Sequence, residues 1–423
     1  MQKSFKVKYL FAICLAILAF TEGRGQSYNL SQLESCFLEN NYLLIAARYE
    51  IAQAEAEVLQ ERLWTNPIFT VDEANLWSNA SSEVLPPLIG NYGKKQQISV
   101  ELEQLIETAG KRGKRVAIKQ LDQQQYVYAF EETMRELKKE LRQGFYRLAN
   151  LKVGKKELSN VISLFEELTQ QYANQSQKQN VSLADYQRIQ AELVRLRRES
   201  LLLDEGITEA ISILQTITGI QGLSVEELDT EGCFVSRTAR LPLDLLSLVH
   251  QQNIGLKQQA TAVKKAESQF SLEKARSKPD LTMHLGYDRG GNIMRDFIGV
   301  GVSMELPVFN RNKGNIQAAK ESIDKERAFQ SALRLEMETA VKRYKAQLLA
   351  YENALQDWPI QDWTQQAKLI DNYRRHLQVQ QISLMEFIDF VQSAREAKQA
   401  FLDLWENYNL TYEELQYLVG NDF

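Results

Sequence analysis

The chain reads as two copies of one pattern set 201 residues apart. Gly113 to Lys119 (GKRVAIK) matches Gly314 to Lys320 (GNIQAAK), an offset of 314 − 113 = 201. Val181-Ser182-Leu183 matches Ile382-Ser383-Leu384 at the same offset, 382 − 181 = 201. Two landmarks that keep one offset while lying 68 residues apart (181 − 113) indicate a structural duplication. Each copy reads as helix, strand, loop, strand, long helix, turn, helix.

The strands are clearest in the second copy. Leu281, Met283, Leu285 and Tyr287 share one face, and Thr282, His284, Gly286 and Asp288 the other. After the turn Arg289-Gly290-Gly291-Asn292, Ile298, Val300, Val302, Met304 and Leu306 alternate with Gly299, Gly301, Ser303 and Glu305. This is period-2 alternation over about ten residues, twice. In the first copy Ile68 to Asp72 is a short strand, and Ile98, Val100 and Leu102 alternate with Ser99, Glu101 and Glu103. The strand spans are predicted at about 67–73, 96–105, 279–288 and 297–306. Alternation alone fits an amphipathic hairpin on a soluble core or a strand crossing a bilayer, which needs about 9–11 residues.

Helical segments make up most of the remainder. None of the seven prolines lies between Pro87 and Pro242, a gap that permits very long helices. Ser31-Gln32-Leu33-Glu34 reads as a capping box, starting a helix from about Gln32 to Trp64. A second helix is predicted from Lys114 to about Gln179, roughly 100 Å at 1.5 Å per residue. The returning helix carries Leu183, Tyr186, Ile189, Leu193 and Leu196 as a narrow apolar seam. In the second copy, helix is predicted from Leu243 to about Ser277, and again beyond Gly314 as far as Trp358-Pro359. A last helix pair is predicted from about Trp363 to Val419, turning near Gln380. The expected organisation is a signal peptide (1–25), a first repeat (26–217), an irregular insertion (218–242) and a second repeat (243–423). The signal reading rests on Lys3, Lys6 and Lys8, an apolar run from Tyr9 to Phe20, and small Gly23 and Gly25 before Gln26. The residues before Cys14 do not suit lipid attachment. Cys36 and Cys233 remain, to pair in an oxidising compartment or to stay as thiols.

Membrane physics then limits the assembly. No stretch approaches eighteen apolar residues, so insertion into a bilayer requires a closed barrel. Four strands cannot close one, and open sheet edges are not tolerated in lipid. Chains must pool strands. Two chains give eight, a filled interior; three give twelve, with room for a lumen. Gly286, Gly299, Gly301 and Ser99 on the polar faces favour the open interior.

The motifs resemble those of the TolC-like outer-membrane efflux factors over essentially the whole mature length. Asn29 to Glu34, Glu39-Asn-Asn41 and Ala46-Ala-Arg48 are similar to the family's first helix. Leu63-Trp-Thr-Asn-Pro67 is similar to the approach to its first strand. Glu103 to Glu107 with Gly110-Lys-Arg112 resembles the metal-efflux branch, and Lys278-Pro-Asp280 with Glu305 to Gly314 is the most specific match. Leu415 to Gly420 also fits. The implied fold is mainly α with membrane β. It comprises two tandem repeats of long antiparallel helices plus a β-hairpin, trimerising into a 12-stranded β-barrel and an α-helical periplasmic tunnel. The implied partners are two further copies of the chain, outer-membrane lipid, a periplasmic adaptor (membrane fusion protein) and an inner-membrane RND-type pump. The implied activity is a passive exit duct in the outer membrane, carrying heavy-metal cations, with drugs or type I secreted proteins as alternatives. A non-channel periplasmic adaptor or coiled-coil scaffold is the rival class.

Resemblance also marks the sites. Glu386 and Asp389 match acidic positions at the family's periplasmic entrance, where three copies would form acidic rings; the alternative is an ordinary solvated helix face. Val181, Ser182, Leu183, Ile382, Ser383 and Leu384 stand at the helical tips that would meet the adaptor. The tips carry Gln179-Asn180 and Gln380-Gln381 where the family uses glycine. Trp77 is read as an interfacial aromatic or a plain loop residue, and Arg142, Arg147, Arg195 and Arg197 as helix-face ion-pair partners.

No catalytic constellation, cofactor motif or metal-ligand spacing is apparent, so no enzyme is expected. His250, His284 and His376 lie far apart, and His284 is read as an inert wall residue. The net charge of -5, with no basic block, argues against nucleic acid.

Overall fold

A computed structural model describes residues 27–74, 84–230, 232–290, 295–357 and 362–423. The signal-peptide reading, Cys14, Trp77, the turn residues Gly291 and Asn292, and the Trp358-Pro359 break lie outside the described residues. In chain order the elements are α1 (Leu30–Asn40), α2 (Tyr42–Glu61), β1 (Ile68–Ala74), β2 (Gln97–Ile106), α3 (Lys111–Gln177) and α4 (Leu183–Thr218). They continue with α5 (Leu245–Gln252), α6 (Ile254–Arg276), β3 (Leu281–Arg289), β4 (Asp296–Met304), α7 (Lys313–Gln356), α8 (Asp362–Gln378) and α9 (Leu384–Val419). Two compact units emerge: one from the segments ending at Ile45, Glu132–Asn253 and Met337–Phe423, the other from Ala46–Glu131 and Ile254–Glu336.

In the first unit the two helical hairpins share a core. Leu158, Phe165 and Leu168 of α3 meet Ile189, Leu193 and Leu196 of α4, and Phe387 and Val391 of α9. Phe165 and Phe387 rings lie 6.2 Å apart. The spacings of three and four along each helix place these side chains on one stripe, and each full burial contributes about 1.5–3 kcal/mol. Leu183 starts the predicted seam but is exposed, because it is the first residue of α4 and lies beyond the packed stripe.

Two predicted helices are each broken in two. The first breaks at Asn41 and the resumed one at Asn253. Asn41 Oδ1 accepts the amides of Leu43 and Leu44, starting α2, while its Nδ2 donates to the Ile217 carbonyl at 2.9 Å. Asn253 Nδ2 donates to the Leu418 carbonyl at 2.8 Å. The two acceptors are themselves 418 − 217 = 201 residues apart, so both repeats use one device. Beside it, α4 and α9 end in left-handed Gly219 (φ 71) and Gly420 (φ 77). A Cβ at Gly420 would lie 2.6 Å from the Gln252 carbonyl oxygen, so this position requires glycine for space as well as conformation. The opening cap also differs from expectation. Asn29 and Gln32 form the capping box, not Ser31 and Glu34, because the Glu34 carboxylate is taken by Arg142 at 2.6 Å.

Between the hairpins Thr238–Arg240 forms a single 3-10 turn in otherwise irregular chain. Cys36 and Cys233 are both free thiols, and burial pushes the Cys233 thiol up to about 11.

The second unit holds a four-stranded antiparallel sheet in the order β1-β2-β3-β4. Strands from both repeats therefore join, through the β2–β3 pairing of Val100 with Tyr287 and Leu102 with Leu285. The motifs that carry the resemblance meet at one end of this sheet. Lys111 Nζ lies 2.8 Å from Asp280 and donates to the Lys278 carbonyl at 2.7 Å, joining Gly110-Lys-Arg112 to Lys278-Pro-Asp280. Asn312 Nδ2 donates to Glu273 Oε2 at 2.7 Å, anchoring the start of α7.

Candidate functional site

The sheet separates its side chains by chemistry. One face carries Phe69, Val71, Val100, Leu102, Met283, Leu285, Tyr287, Ile298, Val300 and Val302, in register across all four strands. Val300 is 75% exposed, Ile298 72%, Phe69 65% and Leu285 50%. A sheet with water on this face would expose apolar side chains on every strand, which soluble monomers rarely do. The opposite face carries Asp72, Ser99, Glu101, Glu103, His284, Gly286, Asp288, Gly299, Gly301 and Ser303. The middle of one side is apolar, with Glu73, Gln104, Arg289 and Asp296 towards its ends. The middle of the other is polar and small, with Ile68, Leu105 and Phe297 towards its ends. With strands of nine and ten residues for β2 to β4, that is the pattern of a bilayer-crossing sheet. Among the described residues no helix is long and apolar enough to cross a membrane.

His284 has partners that its sequence neighbourhood does not reveal. Its Nδ1 lies 2.8 Å from Glu101 Oε1 and 3.8 Å from Glu103 Oε1, and its Nε2 lies 2.7 Å from Ser303 Oγ. Sequence spacing could not find this group, because the β2–β3 register brings together residues 183 positions apart.

The two helical tips are built alike. After α3, Asn180 N donates to the Gln175 carbonyl and Gln179 N to the Ser176 carbonyl. After α8, Gln381 N donates to the His376 carbonyl and Gln380 N to the Leu377 carbonyl. This is a Schellman turn at both tips, with Gln179 (φ 60) and Gln380 (φ 58) in the left-handed position that glycine usually fills. A side chain there costs about 1–2 kcal/mol, and the repeat keeps that cost at both tips. Ser182 caps α4 by accepting the Asp185 amide, and Ser383 caps α9 by accepting the Glu386 amide. Val181 and Ile382 are half-buried, Leu183 is exposed and Leu384 is buried, so the tips do not present equal apolar surfaces.

Glu386 and Asp389 both lie exposed in the first turns of α9. Glu386 closes a capping box, accepting from Ser383 N at 2.7 Å and Ser383 Oγ at 2.8 Å. These bonds from the Ser383 amide and then its hydroxyl hold the Glu386 carboxyl below its ordinary value, so the tip keeps its negative charge. Of the other arginines, Arg195 pairs along its own helix face with Glu192 at 2.6 Å, whereas Arg197 and Arg147 pair between α3 and α4, with Glu166 at 2.7 Å and Glu209 at 3.8 Å.

No known family profile matches the chain. A stretch of 126 residues is 27% identical to the cobalt-zinc-cadmium resistance protein CzcC of Cupriavidus metallidurans, and this match spans 30% of each chain. Similarity in structure extends much further. CusC, described as forming a transmembrane channel, superposes with TM-score 0.72 and 15% identity over 93% of this chain and 92% of its own. The CmeC outer membrane channel of Campylobacter jejuni superposes with TM-score 0.74 and 14% identity, over 94% of this chain and 87% of its own. The open MtrE outer membrane channel of Neisseria gonorrhoeae gives 0.70 and 15%, over 93% of this chain and 89% of its own.

Proposed function

We propose that this chain, which has the fold of the TolC-like outer-membrane efflux channels, is itself an outer-membrane exit duct. The observation that carries this reading is the exposed apolar sheet face, continuous in register over four strands of both repeats. Each chain leaves β1 and β4 as sheet edges, and lipid does not tolerate such edges. Three chains closing twelve strands remove them and leave a lumen lined by the polar face. Exposed apolar residues seven apart on the helices, Tyr42 and Tyr49 on α2 and Val194 and Leu201 on α4, supply further surface for packing between copies.

The duct is passive. Cargo is handed to it by an inner-membrane pump through a periplasmic adaptor that docks at the helical tips around Val181 to Leu183 and Ile382 to Leu384. Heavy-metal cations are the favoured cargo, on the partial likeness to the cobalt-zinc-cadmium resistance protein CzcC. A strain lacking the chain should then become sensitive to cobalt, zinc or cadmium salts. Unchanged metal tolerance with new sensitivity to lipophilic drugs would move the cargo to drugs.

Glu386 and Asp389 form the periplasmic entrance in this reading. Both are exposed and acidic, and a threefold axis would repeat each into a ring. Purified protein in planar bilayers should conduct with a preference for cations. Glu386→Ala with Asp389→Ala should weaken that preference and any block by divalent cations. Unaltered conductance, selectivity and block in the double variant would remove these residues from the entrance.

A further inference from the structure

We infer that Glu101, Glu103 and His284 form a binding site for a divalent transition-metal cation on the polar face of the sheet, with Ser303 orienting the imidazole. Each residue offers one ligand atom, and these atoms lie within 4.8 Å of one another.

The strand geometry builds this group. Glu101 and Glu103 are two apart on β2 and so share a face. The register sets Glu103 opposite His284 and Glu101 opposite Gly286. Gly286 has no side chain, so the Glu101 carboxylate is free to lean across to the ring. On the other flank His284 faces Gly301, which again leaves the ring room, while Ser303 two residues on reaches Nε2 at 2.7 Å.

The distances suit a small cation. Zinc-like ions hold imidazole nitrogen and carboxylate oxygen at about 2.0–2.2 Å, so tetrahedral ligands lie about 3.3–3.5 Å from each other. The present separations from Nδ1, 2.8 Å to Glu101 and 3.8 Å to Glu103, bracket that value. The ligand atoms lie within 4.8 Å of one another, so the glutamate side chains would draw together around a bound ion. Nδ1 would then face the ion, and Nε2–H would donate to Ser303 Oγ. That is the outer hydrogen bond metal-bound histidines almost always make, and it fixes the tautomer.

The surrounding charge favours a cation. Along the four strands this face carries Asp72, Glu101, Glu103 and Asp288, with His284 as its one basic side chain. Arg289 falls on the opposite face. One imidazole with two carboxylates selects zinc, cobalt or nickel over magnesium, which prefers oxygen and keeps its waters. Three protein ligands leave a position for water, and all three side chains are partly exposed. Such a site exchanges its ion, as a station on a pathway must. Only the placement of the site facing a lumen rests on the duct reading. The binding itself depends on neither the assembly nor the cargo.

The test is a Co2+ titration of the purified chain in detergent, followed by visible d–d absorption and by calorimetry. The wild type should bind about one Co2+ per chain, at least about tenfold tighter than Mg2+. His284→Ala should abolish the band, and Glu101→Gln with Glu103→Gln should do the same. Ser303→Ala keeps all three ligands and should weaken binding by about 10–100-fold. A wild type that binds no more Co2+ than His284→Ala overturns the site, as does binding that all these variants leave unchanged. The wild-type titration decides even where a variant fails to fold. Loss of the site would leave the channel reading standing, and a monomeric chain that still binds Co2+ would sink the barrel but keep the site.

Discussion

Val300→Arg should prevent stable insertion, while Ser99→Arg should not. Val300 lies at the middle of β4, is 75% exposed, and pairs with Leu285 on the apolar face. If that face meets lipid, an arginine near the bilayer midplane costs about 2–4 kcal/mol. Three chains in one barrel would meet that cost three times. The expected result is a sharp fall in heat-resistant oligomer recovered from outer membranes, with more chain degraded or aggregated. Ser99 lies on the polar face, opposite Asp288, where an arginine meets water and carboxylates. That variant should assemble as well as the parent. On an ordinary soluble protein Val300 would be an exposed strand position and Ser99 a half-buried one, and changes at exposed positions usually stay within about 0.5 kcal/mol. Equal yields of the two variants would therefore show that the apolar face is not lipid-facing.

Arg142→Ala should be the most damaging single change in the helical unit. The Arg142 guanidinium lies 2.6 Å from Glu34, 3.0 Å from Glu413 and 3.2 Å from Asp422, and donates to Gln416 at 2.5 Å. Burial works against its charge, but Glu413, Glu34 and Asp422 outweigh it and hold the guanidinium firmly protonated. Glu413 is 3% exposed, and burial pushes its carboxyl up despite Arg142. Removing Arg142 leaves Glu413 without its closest cation, and breaking a buried pair in this way costs about 3–5 kcal/mol. The measurement is the denaturant midpoint of the helical signal, with Arg142→Lys as comparison. Lysine restores the charge but not the forked geometry, and should recover only part of the loss. Acid should reproduce some of it. Burial alone would raise Asp422, yet Lys138 and Arg142 hold it below the ordinary 3.8. Its contribution is complete above that value and is lost as pH falls through the depressed folded one. A midpoint unchanged in Arg142→Ala would mean that the network carries no stability.

Periodicity made the strands legible. The predicted spans 279–288 and 297–306 are observed as Leu281–Arg289 and Asp296–Met304, because alternation marks a face without reference to any partner. The tip turns were legible as breaks between helices, although their glutamines give no hint of left-handed backbone. Other features depend on residues far away in sequence. Asn41 and Asn253 break helices at points without proline, and their partner carbonyls lie 176 and 165 residues on. Glu34 looked like a cap partner until the structure gave it to Arg142, 108 residues away. His284 looked isolated because nothing in a sequence states which strand of one repeat pairs with which strand of the other. Glu386 and Asp389 stand out by resemblance only, since an exposed carboxylate on a helix has no pattern of its own.

The most direct test of the channel account is the protein mass of material extracted from outer membranes in detergent. One chain of the full sequence is 48.7 kDa. The account predicts an oligomer of three chains that needs detergent to stay dispersed, with twelve strands closed and no free sheet edge. A monomer that stays monodisperse without detergent would contradict it, because the apolar face would then have to tolerate water.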